Sequence, residues 1–220
     1  MCTVILGLNI HPTYPFVIAA NRDEFRARPT APFGRLEGEI FGGRDLEAGG
    51  TWFATRPDGA MALLTNIRPD KPSNRSKKSR GSIVIELLRA PTAAKMAAVA
   101  HAMEVWNYNP FHALFGVGDE WYCLRGDAQK EVVKLAPGWH LLGNVGLDAK
   151  DDPKTAFVQK HLPKGDIKKG FEDILKSPPI WQDLGIYGSR WSMVGAGPEL
   201  WISEQGINFA PLVRASLQSH

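Results

Sequence analysis

The turn Arg56-Pro57-Asp58-Gly59 constrains the fold of this chain more than any other stretch. Pro presets φ near the start of a tight turn and Gly accepts a positive φ at its end. The apolar runs 51–55 and 60–66 on either side are therefore predicted to fold back on each other as an antiparallel hairpin. Nearer the start, runs 2–9 and 15–20 are short and apolar, and His11-Pro12-Thr13-Tyr14 separates them, which predicts two more strands and a turn. Asn21-Arg22-Asp23-Glu24 ends the second of these strands. Gly42-Gly43 and Gly49-Gly50 bracket Arg44-Asp45. Such glycine density fits either a close backbone approach or a pair of turns.

From Gly81 the apolar period becomes helical. Ser82 is the predicted cap of a helix over 82–89, with Ile83, Val84, Leu87 and Leu88 on one face and Pro91 stopping it. A second helix is predicted over 92–106, capped by Thr92, with Met96, Val99, Ala100 and Met103 as a core stripe. Strands resume at 111–117, 121–124, 131–135 and 140–142. Helices follow at 154–161 and 168–175, and last strands at 192–196, 199–203 and 207–209, the first two joined by Gly197-Pro198. Strands, then helices, then strands again predict an α+β fold of antiparallel sheets with helices on their outer faces. The strand count favours a four-layer αββα sandwich in a single domain over 1–220, and a one-sheet α+β domain is the alternative.

At 220 residues and 44% hydrophobic content the chain has enough apolar surface for a substantial core. It contains no run of about 18 apolar residues, so no transmembrane segment is expected. The start lacks a basic segment followed by an apolar stretch and a cleavage site, so secretion by that route is not expected and the protein is predicted to be cytoplasmic, with an organelle lumen as the alternative. A net charge of +3 gives no reason to expect nucleic acid. The two cysteines, Cys2 and Cys123, lie outside any CxxC pattern, and no Cys or His pair has zinc-ligand spacing. No metal or required cofactor is expected. Cys123, inside an apolar strand, is expected to be a buried small hydrophobe.

Cys2 is the candidate for chemistry. Removal of Met1 would give one residue both a thiol and an α-amino group, whose reference pKa of about 7.7–8.0 lets it act as base for its own side chain. A small second residue also simply permits Met removal.

The motifs Met1-Cys2-Thr3, Asn21-Arg22-Asp23-Glu24, Gly42-Gly43-Arg44-Asp45, Gly49-Gly50-Thr51-Trp52, Thr65-Asn66-Ile67-Arg68, Ser79-Arg80-Gly81 and Tyr187-Gly188-Ser189-Arg190 occur in that order. In this the chain resembles the NRDE family, whose eukaryotic namesake is transport and Golgi organisation protein 2. Gly143-Asn144 departs from the pattern, which has Ser before the Asn. The family's beginning is similar to the cysteine N-terminal-nucleophile hydrolases, such as bile-salt hydrolases and penicillin V acylases, and the resemblance implies their αββα fold. It also implies that Asp23 orients the Cys2 amine. The arginine those enzymes carry three residues earlier falls here on Ala20, leaving Arg22 to stand in for it. On this basis Cys2 attacks an amide or thioester of a small anionic, partly apolar substrate. Asp23 holds the ammonium, Asn66 donates to the oxyanion, and Arg22 or Arg190 steadies a substrate carboxylate or the oxyanion. Each has a structural alternative: Asn66 as a turn residue, Arg190 paired with Glu199 or Asp183, and Arg22 with Glu24 as a surface ion pair. Asn21, Arg22, Arg68, Arg80 and Ser82 are the expected substrate-binding residues.

A carrier is the alternative function. The basic residues Arg68, Lys71, Arg75, Lys77, Lys78 and Arg80 run into the helix start at Ser82, a combination that binds phosphates or carboxylates. Acyl-coenzyme A or haem would suit it, and the resemblance implies a link to haem trafficking and lipid handling. The bland alternative is a solvated loop. A haem iron would need an axial ligand. Among His11, His101, His112, His140, His161, Cys2 and Cys123, the turn residue His11 is the first choice. Trp181 either packs in the core or lines a pocket mouth.

Overall fold

The computed structural model describes residues 2–67, 73–177, 187–196, 199–204 and 210–212, with backbone alone at 187–192, 199, 201–204 and 210–212. In chain order the first half holds β1 (Thr3–Leu8), β2 (Phe16–Phe25), β3 (Thr30–Glu37), β4 (Ile40–Asp45), β5 (Phe53–Thr55), β6 (Met61–Asn66), α1 (Gly81–Leu88) and α2 (Ala93–Ala102). The second holds β7 (Phe111–Val117), β8 (Glu120–Gly126), β9 (Glu131–Lys134), β10 (Gly138–Leu142), α3 (Pro153–His161), α4 (Ile167–Lys176), β11 (Tyr187–Ala196), β12 (Glu199–Glu204) and β13 (Ala210–Leu212). They form two compact units, residues 1–28 with 137–220, and residues 29–136.

The first unit is built on a six-stranded sheet in the order β10-β1-β2-β11-β12-β13, with every pair antiparallel. Strands β1 and β2 pair from Thr3↔Asn21 to Leu8↔Phe16. The predicted turn between them is held by Asn9 N–H donating to Pro15 O at 3.0 Å and by the His11 ring, whose Nδ1 accepts from the Thr13 and Tyr14 amides. Ile5, Val17 and Ala19 pack with Val158 of α3 and Phe171, Ile174 and Leu175 of α4. Both helices start as physical chemistry asks: Asp152 accepts from Thr155 N ahead of Pro153, and Asp166 accepts from Lys169 N. Strand β2 runs on to Phe25 because β11 continues to pair with it, from Ala196↔Val17 to Tyr187↔Phe25. The register shifts between Ser189 and Trp191, so Arg190 is the extra residue of a bulge facing Arg22 and Asp23.

The second unit is a seven-stranded meander in chain order, β3 through β9. The predicted hairpin is there: Phe53 pairs with Leu63, Arg56 N–H donates to Ala60 O, and Gly59 takes φ +86°. The Arg56 guanidinium then reaches the carbonyls of Leu88, Ala90 and Pro91, closing the end of α1. Helices α1 and α2 lie on one face, where Ile83, Val84, Leu87, Leu88, Met96 and Ala100 pack on Ala54, Ala62, Phe111, Phe115 and Leu124.

Gly42-Gly43-Arg44-Asp45 forms most of β4, preceded by β3, and of the two possibilities for Gly42-Gly43 the close approach holds. The glycines admit neighbours there: a Cβ on Gly43 would meet the Trp52 ring at 2.6 Å, and one on Gly42 would strike the Phe53 carbonyl. Ser82 does not cap α1. Arg80 holds the cap position with no side-chain bond, and Ser82 Oγ donates back to Ser79 O at 2.9 Å. Helix α2 stops at Ala102, where Met103 turns extended, and a single 3₁₀ turn, Val105–Asn107, follows; Lys130 Nζ satisfies the His101 and Met103 carbonyls at this helix end. Thr92 caps α2 as predicted, accepting from Lys95 N. The predicted strand 207–209 and the Gly197-Pro198 link lie outside the described residues. Among the described residues no helix is long and apolar enough to cross a membrane.

Of the two possibilities for Gly49-Gly50, both hold. Gly49 turns the chain at φ +73°, and Gly50 lies so close to Gly81 that an added Cβ would stand 2.6 Å from the Gly81 Cα. Thr51 N–H donates to Gly81 O at 3.3 Å across the same contact. Gly50→Ala is therefore expected to cost about 1–3 kcal/mol. Urea unfolding of the variant measures it, and an unchanged midpoint would refute the close approach.

Candidate functional site

The β1–β2 register decides where the thiol sits. With Thr3 opposite Asn21, the residue before Thr3 falls beside Arg22 and Asp23. Cys2 is half-buried, and the backbone N–H of Asp23 bonds to its sulfur. Burial pushes the Cys2 thiol above its ordinary value, and the Asp23 charge pushes the same way. The terminal ammonium charge, the Asp23 N–H and the Arg22 charge oppose them with smaller effect. With Met1 in place, Cys2 is therefore a neutral thiol at neutral pH.

The Asp23 side chain is fully buried, and Lys154 Nζ stands 3.4 Å from its Oδ2. The same ammonium donates to Thr3 Oγ1 at 3.3 Å. Lys154 comes from the first turn of α3, which the Asp152 cap fixes in place. Its own side chain is 13% exposed, so the pair is largely withdrawn from water. Sequence reasoning missed Lys154. The two partners are 131 residues apart, and a lone lysine early in a predicted helix carries no signal of a buried carboxylate.

The other predicted residues divide. Asn21 is buried and donates from Nδ2 to Leu175 O at 3.3 Å, tying β2 to α4. Arg22 is 5% exposed and lies 3.7 Å from Glu24, so the two do not form a surface ion pair. Arg190 is the bulge residue of β11, but its side chain, like Arg68 and Trp181 entirely, lies outside the described residues. Asn66 ends β6 in the second unit and is exposed. Arg80, in the same unit, donates to Pro110 O at 3.1 Å. The Nδ1 of His11 is engaged by its own turn. Cys123 is buried.

Two further features belong to the second unit. A groove of about 490 Å³ is lined by Arg44, Gly50, Gly81, Ser82, Glu86 and Arg89 among others. Arg44 donates there to Leu36 O at 3.1 Å, and Arg89 forms a bidentate pair with Glu37 at 2.7 Å. His112, on β7, is 2% exposed, and its Nδ1 has no hydrogen-bond partner among the described residues. Burial and the Arg125 charge depress its pKa to about 4, against a smaller pull from Asp127. Among the described residues no three His, Cys, Asp or Glu side chains gather to hold a metal ion.

Comparison with known proteins gives the family and the fold. A family model described as Transport and Golgi organisation 2 matches residues 1–175. The Transport and Golgi organization protein 2 homolog of Bos taurus is 32% identical over 163 residues, 67% of this chain and 58% of that protein. The Homo sapiens homolog is 30% identical over 164 residues with the same coverage. The matched stretch thus spans 58% of the length of these curated relatives. Among solved structures, the Caenorhabditis elegans ortholog of N-acylethanolamine-hydrolyzing acid amidase superposes with TM-score 0.66 at 13% identity, covering 90% of this chain and 93% of that one. A mutant conjugated bile acid hydrolase from Clostridium perfringens gives 0.52 at 11% identity, covering 100% and 94%. These likenesses show the fold, the α+β sandwich that the order of strands and helices predicted and that the resemblance to N-terminal-nucleophile hydrolases implied.

The buried imidazole gives the fold a pH dependence with a definite sign. The folded-state pKa of His112, about 4, lies below the ordinary 6.5, so the unfolded chain binds the proton first as pH falls. The contribution of neutral His112 is intact above the unfolded value and is lost progressively down to the folded one. Stability is expected to fall by about 3 kcal/mol across that window, and His112→Gln is expected to lack this share of the loss. Denaturant unfolding at several pH values compares the two, and parallel curves would refute it.

Proposed function

The chain belongs to the Transport and Golgi organisation 2 family, and on that footing we propose that it is an N-terminal-cysteine hydrolase once Met1 is removed. Its substrate would be an amide or thioester of a small anionic, partly apolar molecule in the cytoplasm. The observation that carries this reading is the placement of the Cys2 sulfur on the Asp23 N–H, beside the buried Asp23 carboxylate, in a fold shared with an amidase and a bile acid hydrolase.

In the reaction, the uncovered α-amine of Cys2 takes the thiol proton and the thiolate attacks the substrate carbonyl carbon. The Asp23 carboxylate stabilises the ammonium so formed. When the tetrahedral intermediate collapses, the carbon–nitrogen or carbon–sulfur bond breaks, and the ammonium returns its proton to the leaving amine or thiol. An acyl group then sits on the Cys2 sulfur as a thioester. Water, deprotonated by the same amine, attacks that thioester, and the acid leaves as the thiol is regained. The charge of Arg22 already acts on Cys2 in favour of the thiolate. It is the group on β2 suited to a substrate carboxylate.

A second reading, a non-catalytic carrier of acyl-coenzyme A or haem, draws on the groove of the second unit. There the Arg44 guanidinium offers a positive charge to an anionic group, beside the apolar Leu36 and Ile85. Cys2 would then keep Met1 and its raised thiol pKa.

Intact mass and peptide mapping after brief iodoacetamide exposure separate the two. The hydrolase reading expects Met1 to be absent and Cys2 to be alkylated at neutral pH about tenfold or more faster than an ordinary thiol. Met1 retained, or Cys2 no more reactive than a free cysteine, would overturn it and direct titrations toward acyl-coenzyme A and haem.

A further inference from the structure

Lys154 has no part in the steps above, yet it approaches the one carboxylate that those steps require. We propose that Lys154 is a positioning residue for the Cys2 site, neutralising Asp23 so that the adjacent α-amine remains a usable base and the thiol ionises near neutral pH. The inference rests on the hydrolase reading and deepens it.

The reasoning starts from burial. A carboxylate with no exposed surface spreads none of its charge into water, so its field falls on whatever lies against it. The thiol of Cys2 feels that field directly, and Asp23 raises its pKa. An α-amine created at Cys2 would feel it too, and would be held as an ammonium, a poor acceptor for the thiol proton. Lys154 brings a positive charge to 3.4 Å from Asp23 Oδ2, at a distance where opposite charges offset each other strongly. The bond to Thr3 Oγ1 fixes that charge one residue from the nucleophile.

Other charged side chains described around the site have contacts of their own. Arg22 and Arg28 both approach Glu24, at 3.7 and 3.8 Å. Asp152 accepts from the Thr155 amide and hydroxyl. On α4, Glu172 lies between Lys168 and Lys176, and Lys169 pairs with Asp173. Lys154 is the helix cation whose charge goes to Asp23.

The test is the pH dependence of iodoacetamide labelling at Cys2 in the full chain, with wild type, Lys154→Gln, Lys154→Met and Lys154→Arg, each checked for folding by denaturant unfolding. The Gln and Met variants are expected to shift the labelling midpoint upward by about one pH unit, making Cys2 about tenfold slower at neutral pH, and Arg is expected to restore it. Gln retains a donor for Thr3 and keeps the test available if Met prevents folding. A lysine serving stability alone would lower the unfolding midpoint and leave the labelling midpoint in place, which overturns the proposal. A wild-type Cys2 that labels as an ordinary thiol overturns the hydrolase reading itself. An activated wild type with an unmoved Gln variant overturns only the role of Lys154.

Discussion

The antiparallel pairing of β1 with β2 is the contact from which the site follows. It sets Thr3 against Asn21, and so puts Cys2 next to the only place in its unit where a buried carboxylate and a buried guanidinium follow each other along one strand among the described residues. Side chains alternate across a strand, so a slip of one residue would send Asn21 and Asp23 to the opposite face and exchange them with Ala20 and Arg22. The apolar residues prevent that slip. Ile5, Val17 and Ala19 are held by α3 and α4, and moving them to the other face would remove the whole set from its helices. The Cys2 thiol is thus positioned by a hydrophobic pattern some distance along the same two strands.

Burying Asp23 and Lys154 is costly, because both ions leave water, and the attraction between them offsets that loss only with good geometry and further hydrogen bonds. An ion pair of this kind is weak evidence of stability. An apolar pair of similar volume would pack there at no greater cost, so the charge itself is the feature requiring explanation. The second unit shows the contrasting case. Arg56 is also largely buried, but its guanidinium satisfies the carbonyls of Leu88, Ala90 and Pro91 where α1 ends, and its role is complete as architecture.

How much of this was legible in the sequence depends on the distance over which each feature is encoded. The hairpin at Arg56-Pro57-Asp58-Gly59 is local, and its Pro and Gly specify backbone angles directly. Strands β1, β2, β7 and β8 were legible because their apolar runs are bounded by turn residues. Strands β3 and β4 were not, since Gly42 and Gly43 resemble turn formers until Trp52 and Phe53 are seen to need their missing side chains. The cap of α1 misled for a related reason: Ser82 has cap chemistry, but the close approach of Gly50 to Gly81 sets where the helix begins. Cys2 and Asp23 were visible as a motif, while Lys154 was not, because an ion pair between a strand and a helix 131 residues later leaves no spacing to recognise.

A shared fold places a thiol without determining its reactivity. In the chain that keeps Met1, the nitrogen of Cys2 is an amide with no basicity, and burial and Asp23 together keep the thiol protonated. Hydrolysis of the first peptide bond changes neither strand nor register, yet it converts that nitrogen into an amine within the field of Asp23. The amine is then subject to two opposing demands: Asp23 must be negative enough to stabilise the ammonium during attack, but not so dominant that the ammonium exists beforehand. A single buried carboxylate cannot meet both. A carboxylate partly neutralised by a lysine at 3.4 Å can, because its residual attraction grows only when a second positive charge forms beside it. In the proposed hydrolase the fold therefore fixes where the Cys2 thiol stands, and the balance of charge around Asp23 governs whether it attacks.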